Sequence, residues 1–342
     1  MQSITVLKRQ TNKEVKVCVT FTVTLAALIV LTIVSIGIGA IWIPPSVVWD
    51  SIVSFDASNI HHQLIREVRI PRALTAVITG GALAAAGAIM QGMTRNPLAD
   101  PSIIGITHGA GLAIAMALVF VATHTFWTLL LFAFGGAAVG AGLVILFSMI
   151  AKDRHSPVTL TLAGAALSTL FGALSTGLAL YFQVAQDLSF WYAGGLAGSQ
   201  WIDVWILVPV LVIGFILAMW ISRPLTILTM GDEIATGLGQ SAGKIRWIGF
   251  AAVVMLSGAA VAVAGVIGFI GLMVPHMVRS LIGVDYRLIM PLSILMGAAL
   301  LVLSDIGARI VNIPFETPVG AITAILGVPF FLYLARRNGR DL

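Results

Sequence analysis

The stretch RIPRALTAVITGGALAAAGAIMQGMTRNPLADP, residues 69–101, decides the fold. Between Arg72 and Arg95 stands a run of almost nothing but Ala, Gly, Leu, Ile, Val and Met. A run of about 20 such residues, wound as a helix, crosses a hydrocarbon layer roughly 30 Å thick. Paired arginines mark one mouth of the run, and a turn broken by Pro97 and Pro101 marks the other.

The rest of the chain repeats the pattern. Of 342 residues, 59% are hydrophobic and 10% charged, against about 25% charged in an ordinary soluble domain. Water is therefore not the solvent for most of this surface. Membrane-spanning strands would alternate apolar and polar residues over about ten positions, and that alternation is missing. The fold class is an all-α polytopic membrane protein, a single transmembrane domain over residues 1–342.

Apolar runs bounded by charge, Pro or polar clusters place ten transmembrane helices at 17–43, 71–93, 102–122, 126–151, 157–182, 202–222, 247–267, 269–283, 288–308 and 318–335. The eighth is short enough to require burial among its neighbours or a break. The opening MQSITVLKRQTNKEVKV reads as a cytoplasmic tail, 1–16, before an uncleaved first span, because the apolar run that follows to Ile43 is too long for a signal peptide. The one cysteine, Cys18, cannot form an intrachain disulfide and takes no role.

Charge orients the spans. With both termini cytoplasmic, the inner segments carry all of the 19 Lys and Arg residues except Arg66, Arg69, Arg72 and Arg309, as the positive-inside rule asks. The net charge of +5 is then a topology signal, and no nucleic-acid partner is called for. A shift of 178 residues lays Gly80, Ala82, Ala84, Ala86, Gly87, Ile89, Pro97 and Gly105 on Gly258, Ala260, Ala262, Ala264, Gly265, Ile267, Pro275 and Gly283. The second and seventh spans so related run in opposite directions, the pattern of an inverted repeat in a transporter.

Small residues in GGALAAAGAIMQG and SGAAVAVAGVIGFIG let helix backbones approach closely in lipid. Ionisable groups rarely enter the spans; Asp305 and His276 are the clearest, both near ends. A charge at mid-bilayer costs about 2.5–3.5 kcal/mol on insertion scales, and pumps that bind a driving ion accept that cost. A nearly charge-free interior disfavours such an ion-coupled carrier and points to energy supplied by another chain. No catalytic or metal site is expected: GLGQSAGKI, residues 237–245, has the wrong glycine spacing for a phosphate loop and Ile245 where Ser or Thr must reach magnesium. His61 and His62 are adjacent and point to different faces.

Four stretches stand out together: RIPR with NPLADP, then GDEIATGLGQSAGKIR, then GFIGLMVPHMVR, then SDIGAR followed by IPFETPVGAITAILGVPFF. In this order, from about residue 15 to 337, they resemble the permease family of bacterial ABC importers for iron-siderophores, haem and cobalamin. The segments QGMTRNPLADPSIIGITHGAG and GFIGLMVPH carry the most specific match.

The resemblance implies half of a transporter in the bacterial cytoplasmic membrane. A second permease chain, identical or homologous, completes the path; two cytoplasmic ATPase subunits hold ATP and Mg and drive it; an extracytoplasmic binding protein delivers cargo. This chain binds no cofactor. Ferric siderophore is the favoured cargo, ahead of haem and cobalamin. The inner segment 223–246 becomes the coupling loop, with Asp232, Glu233, Ala235, Gly237, Leu238 and Gly239 at the ATPase. Its acids start a helix and its glycines permit a tight turn.

Arg69, Arg72 and Arg309 become docking groups for the binding protein. An isolated arginine at a helix end commonly snorkels to the interface, but guanidinium also pairs in a fork with carboxylate. Asp305, one turn before Arg309, competes for that residue. Spans five and ten line the family's path, making Ser168, Thr169, Ser175, Thr176, Thr323 and Gly327 candidate wall residues. Asn96, Pro97, Asp100 and Pro101 read as a structural turn at the inner gate. Pro275 and His276 read as a break in the eighth span, and Glu316 as a polar residue at the outer mouth.

Overall fold

The computed structural model describes residues 2–39, 41–122, 125–150 and 157–338, and every regular element among them is helical. In chain order these are α1 (Gln2–Gly37), α2 (Pro45–Val53), α3 (Ile60–Leu64), α4 (Ile70–Thr94), α5 (Ile106–Phe120), α6 (Phe126–Ile150) and α7 (Pro157–Tyr181). They continue as α8 (Ala185–Ala193), α9 (Trp201–Leu228), α10 (Asp232–Gly237), α11 (Ala242–Ala264), α12 (Ile270–Ile282), α13 (Tyr286–Ile310) and α14 (Val319–Asn338). A π-turn, Ile65–Arg69, joins α3 to α4, and a 3-10 turn, Pro101–Ile104, precedes α5. Seven of the helical segments are long and apolar enough to cross a membrane, while α5, α12 and α14 are shorter apolar helices. These ten coincide with the ten expected spans. Of the basic residues assigned to the inner side, Lys152, Arg154 and Arg340 lie outside the described residues.

Three boundaries differ from the sequence reading. The first helix starts at Gln2, so the tail 1–16 is continuous with the span, and it stops at Gly37 instead of reaching Ile43. The sixth span does not end at Ser222. Helix α9 runs through Arg223 and Pro224 to Leu228, because a charge marks where a helix leaves lipid and not where its hydrogen bonds stop. The coupling segment therefore narrows from 223–246 to 229–241, with α10 inside it. Short α2, α3 and α8 carry too few residues to show a helical period, and apolar-run reading passes over them.

Helix α4 is the hub. From Thr79 to Thr94 every residue is buried, because α1, α9, α11, α12 and α13 pack around it. A helix apolar on all sides belongs in a protein core or in lipid, and α4 takes the first of these. Its glycines set the approach distances: a Cβ on Gly80 would run into the Gly297 carbonyl of α13, and one on Gly87 into the backbone of Gly271 in α12. Small residues permit this contact where lipid supplies no hydrophobic drive between helices. At the other end of α4, Ile89 and Met93 lie against Gly249 near the start of α11, so α4 and α11 run antiparallel, as the shift of 178 residues asks. The two copies diverge beyond that: α4 continues through Gly87, whereas α11 ends at Ala264 and Gly265 is left-handed at φ 65°.

Helix α12 resolves the short eighth span. Its 13 residues rise about 20 Å, too little to cross alone, and Ile270–Pro275 are buried by neighbours. Pro275 lies inside the helix without breaking it, contrary to the expected break; the interruption is upstream, where residues 265–268 are non-helical. Proline has no N–H and leaves the carbonyl four residues back, that of Gly271, without its helical donor. The Gln91 side chain of α4 supplies it, Nε2 lying 3.2 Å from the Gly271 oxygen and 3.1 Å from that of Leu272. Its Oε1 accepts from Arg279. Gln91→Leu is expected to destabilise the protein by about 1–3 kcal/mol, the cost of orphaned buried groups, read as a lower thermal midpoint in detergent.

Candidate functional site

Charge gathers at opposite ends of the long helices: Arg72 begins α4 and Arg95 follows its end, while Arg287 begins α13 and Arg309 nears its end. Each helix has 25 residues, about 37 Å, so the two sets face opposite sides of a bilayer.

At the Arg72 end, Asp305 is the centre. It is 0% exposed, and its carboxylate accepts from Arg72 Nε and Nη2 at 3.1 and 2.9 Å and from Arg309 Nε at 3.0 Å. Arg72 Nη1 reaches Glu316 at 2.7 Å, in the loop before α14. Arg309 also donates to the carbonyls of Ser35 and Ile38 at 2.9 and 3.0 Å and to Ser35 Oγ at 2.6 Å. Arg69 donates to the carbonyls of Ile36, Gly37 and Ile41 at 2.9, 2.7 and 2.5 Å. The last carbonyls of a helix lack intrahelical donors, and cations are favoured at that end. Two guanidiniums thus cap α1 where it stops.

The three arginines expected to dock a partner lie inside the bundle. Arg69, Arg72 and Arg309 are 6%, 6% and 4% exposed, and each already spends its donors inside the chain. They tie α1, α4, α13 and the loop before α14 together. Glu316, its side chain 43% exposed, is the member of the cluster that is uncovered. The Arg309–Asp305 contact one turn apart was readable from spacing; Arg72 with Asp305, 233 residues apart, was not.

At the other end, α10 is one and a half turns of helix between two glycines. Gly231 precedes it at φ 126° and Gly239 follows at φ 76°. The Gly239 N–H bonds the Thr236 carbonyl at 2.9 Å and the Gln240 N–H bonds that of Ala235 at 2.8 Å, a Schellman closure that needs a left-handed residue at its C′ position. Gly239 meets that need. Gly237 sits within the helix with no left-handed φ, so it is not part of the turn chemistry expected of it. Ala235 is fully buried, whereas Glu233, Ile234, Gly237 and Leu238 are exposed. Asp232 turns inward: both its carboxylate oxygens accept from Arg246 Nη2 at 2.9 Å, and Arg95 Nη2 lies 3.5 Å away.

The candidate wall residues separate. Thr169 and Thr176 lie on an uncovered face of α7. Ser175 is buried and donates to the Gly111 carbonyl of α5 at 3.3 Å, and the Ser168 hydroxyl is buried without a partner. Thr323 is buried on its own helix, bonding Gly320 at 3.0 Å, and Gly327 lies under the ring of Phe269. Ser175, Thr323 and Gly327 are thus held in packing within the chain. In the turn after α4, Asn96 Oδ1 accepts from Leu98 N–H and Asp100 Oδ1 from Ser102 N–H, each at 2.9 Å. Asp100 caps the 3-10 turn beginning at Pro101, not α5. Burial pushes its carboxyl above the ordinary range, and the Ser102 bonds pull it back. His276 packs edge-on against Phe330 of α14, ring centres 6.0 Å apart.

An enclosed hub helix, glycine-mediated crossings and segregated charge define a multi-pass helical membrane protein. The chain belongs to the FecCD transport family, whose sequence profile matches residues 27–337. It is similar to the iron(3+)-hydroxamate import system permease protein FhuB of Bacillus subtilis, 49% identical over 308 residues, covering 90% of this chain and 80% of that protein. It is also similar to the iron-uptake system permease protein FeuB of the same organism, 40% identical over 309 residues, 90% of this chain and 92% of that one. A solved structure described as an inward-facing metal-chelate type ABC transporter superposes with a TM-score of 0.81 at 29% identity, covering 93% of this chain and 99% of that chain. The protein is thus a transport subunit of the bacterial plasma membrane.

Proposed function

We propose that this chain is one permease half of an ATP-driven importer for ferric siderophores, with iron held in a hydroxamate-type chelate as cargo. A second permease chain faces the uncovered side of α7, two ATPase subunits meet α10, and an extracytoplasmic binding protein meets the Glu316 end. Both termini then lie in the cytoplasm. The names of FhuB and FeuB support the cargo class. The observation that carries the ATP-driven reading is α10: a helix anchored by Ala235 that turns exposed, apolar Ile234 and Leu238 away from the bundle. Exposed apolar residues next to a charged rim suit a protein partner.

The chemistry this chain performs is mechanical. Closure of the ATPase pair presses on α10, and the close-packed helices behind it tilt as units, because glycine crossings leave no slack for side chains to absorb the motion. Proteoliposomes holding the full complex are expected to accumulate ferric hydroxamate only with ATP inside the compartment of the ATPases. Leu238→Arg is expected to abolish that uptake while leaving the chain folded. Uptake driven by a proton or sodium gradient without ATPase subunits would favour an ion-coupled carrier instead.

A further inference from the structure

We infer that Asp232 is a positioning residue, a pin that makes α10 move with α4 and α11, and not a contact to the ATPase itself. This rests on the reading of α10 as the ATPase-facing element.

Helix α10 has little else to hold it. It is six residues long, and glycines with positive φ, Gly231 at 126° and Gly239 at 76°, join it to α9 and α11. Glycine is the residue least able to stiffen such joints. Its one fully buried side chain is the methyl of Ala235, which resists separation but not rotation. A push on the exposed face, at Ile234 and Leu238, would swivel a helix so mounted and leave the bundle where it stood.

Asp232 removes that freedom. Its carboxylate takes Arg246 from the first turns of α11 at 2.9 Å and Arg95 at 3.5 Å. Arg95 is itself fixed: it ends the buried hub α4 in the left-handed conformation, φ 52° and ψ 28°, a backbone state that costs a non-glycine residue energy and is held by its surroundings. The Arg246 side chain is 15% exposed, that of Asp232 35%, so the pair is shielded enough to persist in physiological salt. The consecutive helices α10 and α11 and, from a distant part of the chain, the end of α4 thereby meet on one carboxylate. Displacement of α10 is carried to the end of α4 and to the start of α11, the two helices that cross at Gly249.

The test uses the full complex in proteoliposomes and reads cargo moved per ATP hydrolysed. Asp232→Asn keeps the shape and loses the charge. It is expected to lower that ratio by about three- to tenfold, the range of a partly exposed charge-assisted pair, with ATP hydrolysis retained. Asp232→Glu is expected to recover most of the loss, and combining Asp232→Asn with Arg246→Gln to add little to either alone. If Asp232→Asn weakens assembly, Arg95→Gln carries the same measurement, since it leaves the Arg246 pair intact; a reduced ratio there supports the pin. A wild-type ratio in Asp232→Asn or Arg95→Gln, in a complex whose uptake Leu238→Arg still abolishes, overturns the pin while sparing the α10 reading. Uptake unaffected by Leu238→Arg removes the α10 reading and the pin together.

Discussion

Asp305→Ala is expected to cost about 3–5 kcal/mol, the penalty for leaving buried charge without its partner, and to deplete the folded protein from the membrane. The carboxylate is fully buried and serves Arg72 and Arg309 together. Without it, two guanidiniums remain in the same enclosed space, and Glu316 reaches Arg72 but makes no bond to Arg309. The effect is measured as membrane yield and thermal midpoint in detergent. Glu316→Gln provides the contrast. That side chain is partly solvated, so its loss is expected to be worth about 1 kcal/mol or less. Replacing Arg72 and Arg309 by Met on the Asp305→Ala background is expected to regain part of the loss, because apolar residues of similar volume often substitute for a buried ion cluster without penalty. The bonds by which Arg309 caps α1 would still be missing, so recovery is incomplete.

The same cluster shows what the sequence could and could not display. The ten apolar runs were legible because lipid imposes a length and a composition on any helix that crosses it. That Arg95 and Arg309 stand at opposite ends of the long helices followed from charge alone. Whether Arg69, Arg72 and Arg309 stand free was not legible: for Arg69 and Arg309 it depends on the carbonyls where α1 stops, six residues earlier than its apolar run, and for Arg72 on Asp305, 233 residues away. Gln91 escaped notice for a related reason. A glutamine in an apolar helix looks incidental until Pro275, 184 positions on in the sequence, is placed beside it with a carbonyl to satisfy. Arg246 and Arg95 were read as topology signals, and their convergence on Asp232 required three helix ends to be assembled. Gly239 was found from its residue type, because only a left-handed C′ position explains a glycine there; Gly237 has no such requirement.

Gly87→Val is expected to disrupt the α4–α12 crossing and to cost about 3 kcal/mol or more, at the upper end for overpacking. The nearest atoms to a Cβ at this site are the oxygen, carbonyl carbon and Cα of Gly271, and backbone cannot rotate aside as a side chain does. Separation of the helices is the remaining relief. It would pull the Gly271 carbonyl from Gln91 and with it the side-chain donor that compensates for Pro275. Stability falls and uptake falls with it, because α12 would no longer follow α4. Gly142→Ala in α6, where nothing lies within 4 Å of the added methyl, is expected to stay within about 0.5 kcal/mol of the parent. Thermal midpoints and uptake per folded complex of the two variants, measured side by side, distinguish a specific crossing from a general aversion of these helices to bulk. Equal behaviour of the two would remove Gly87 from the account of how α4 carries its neighbours.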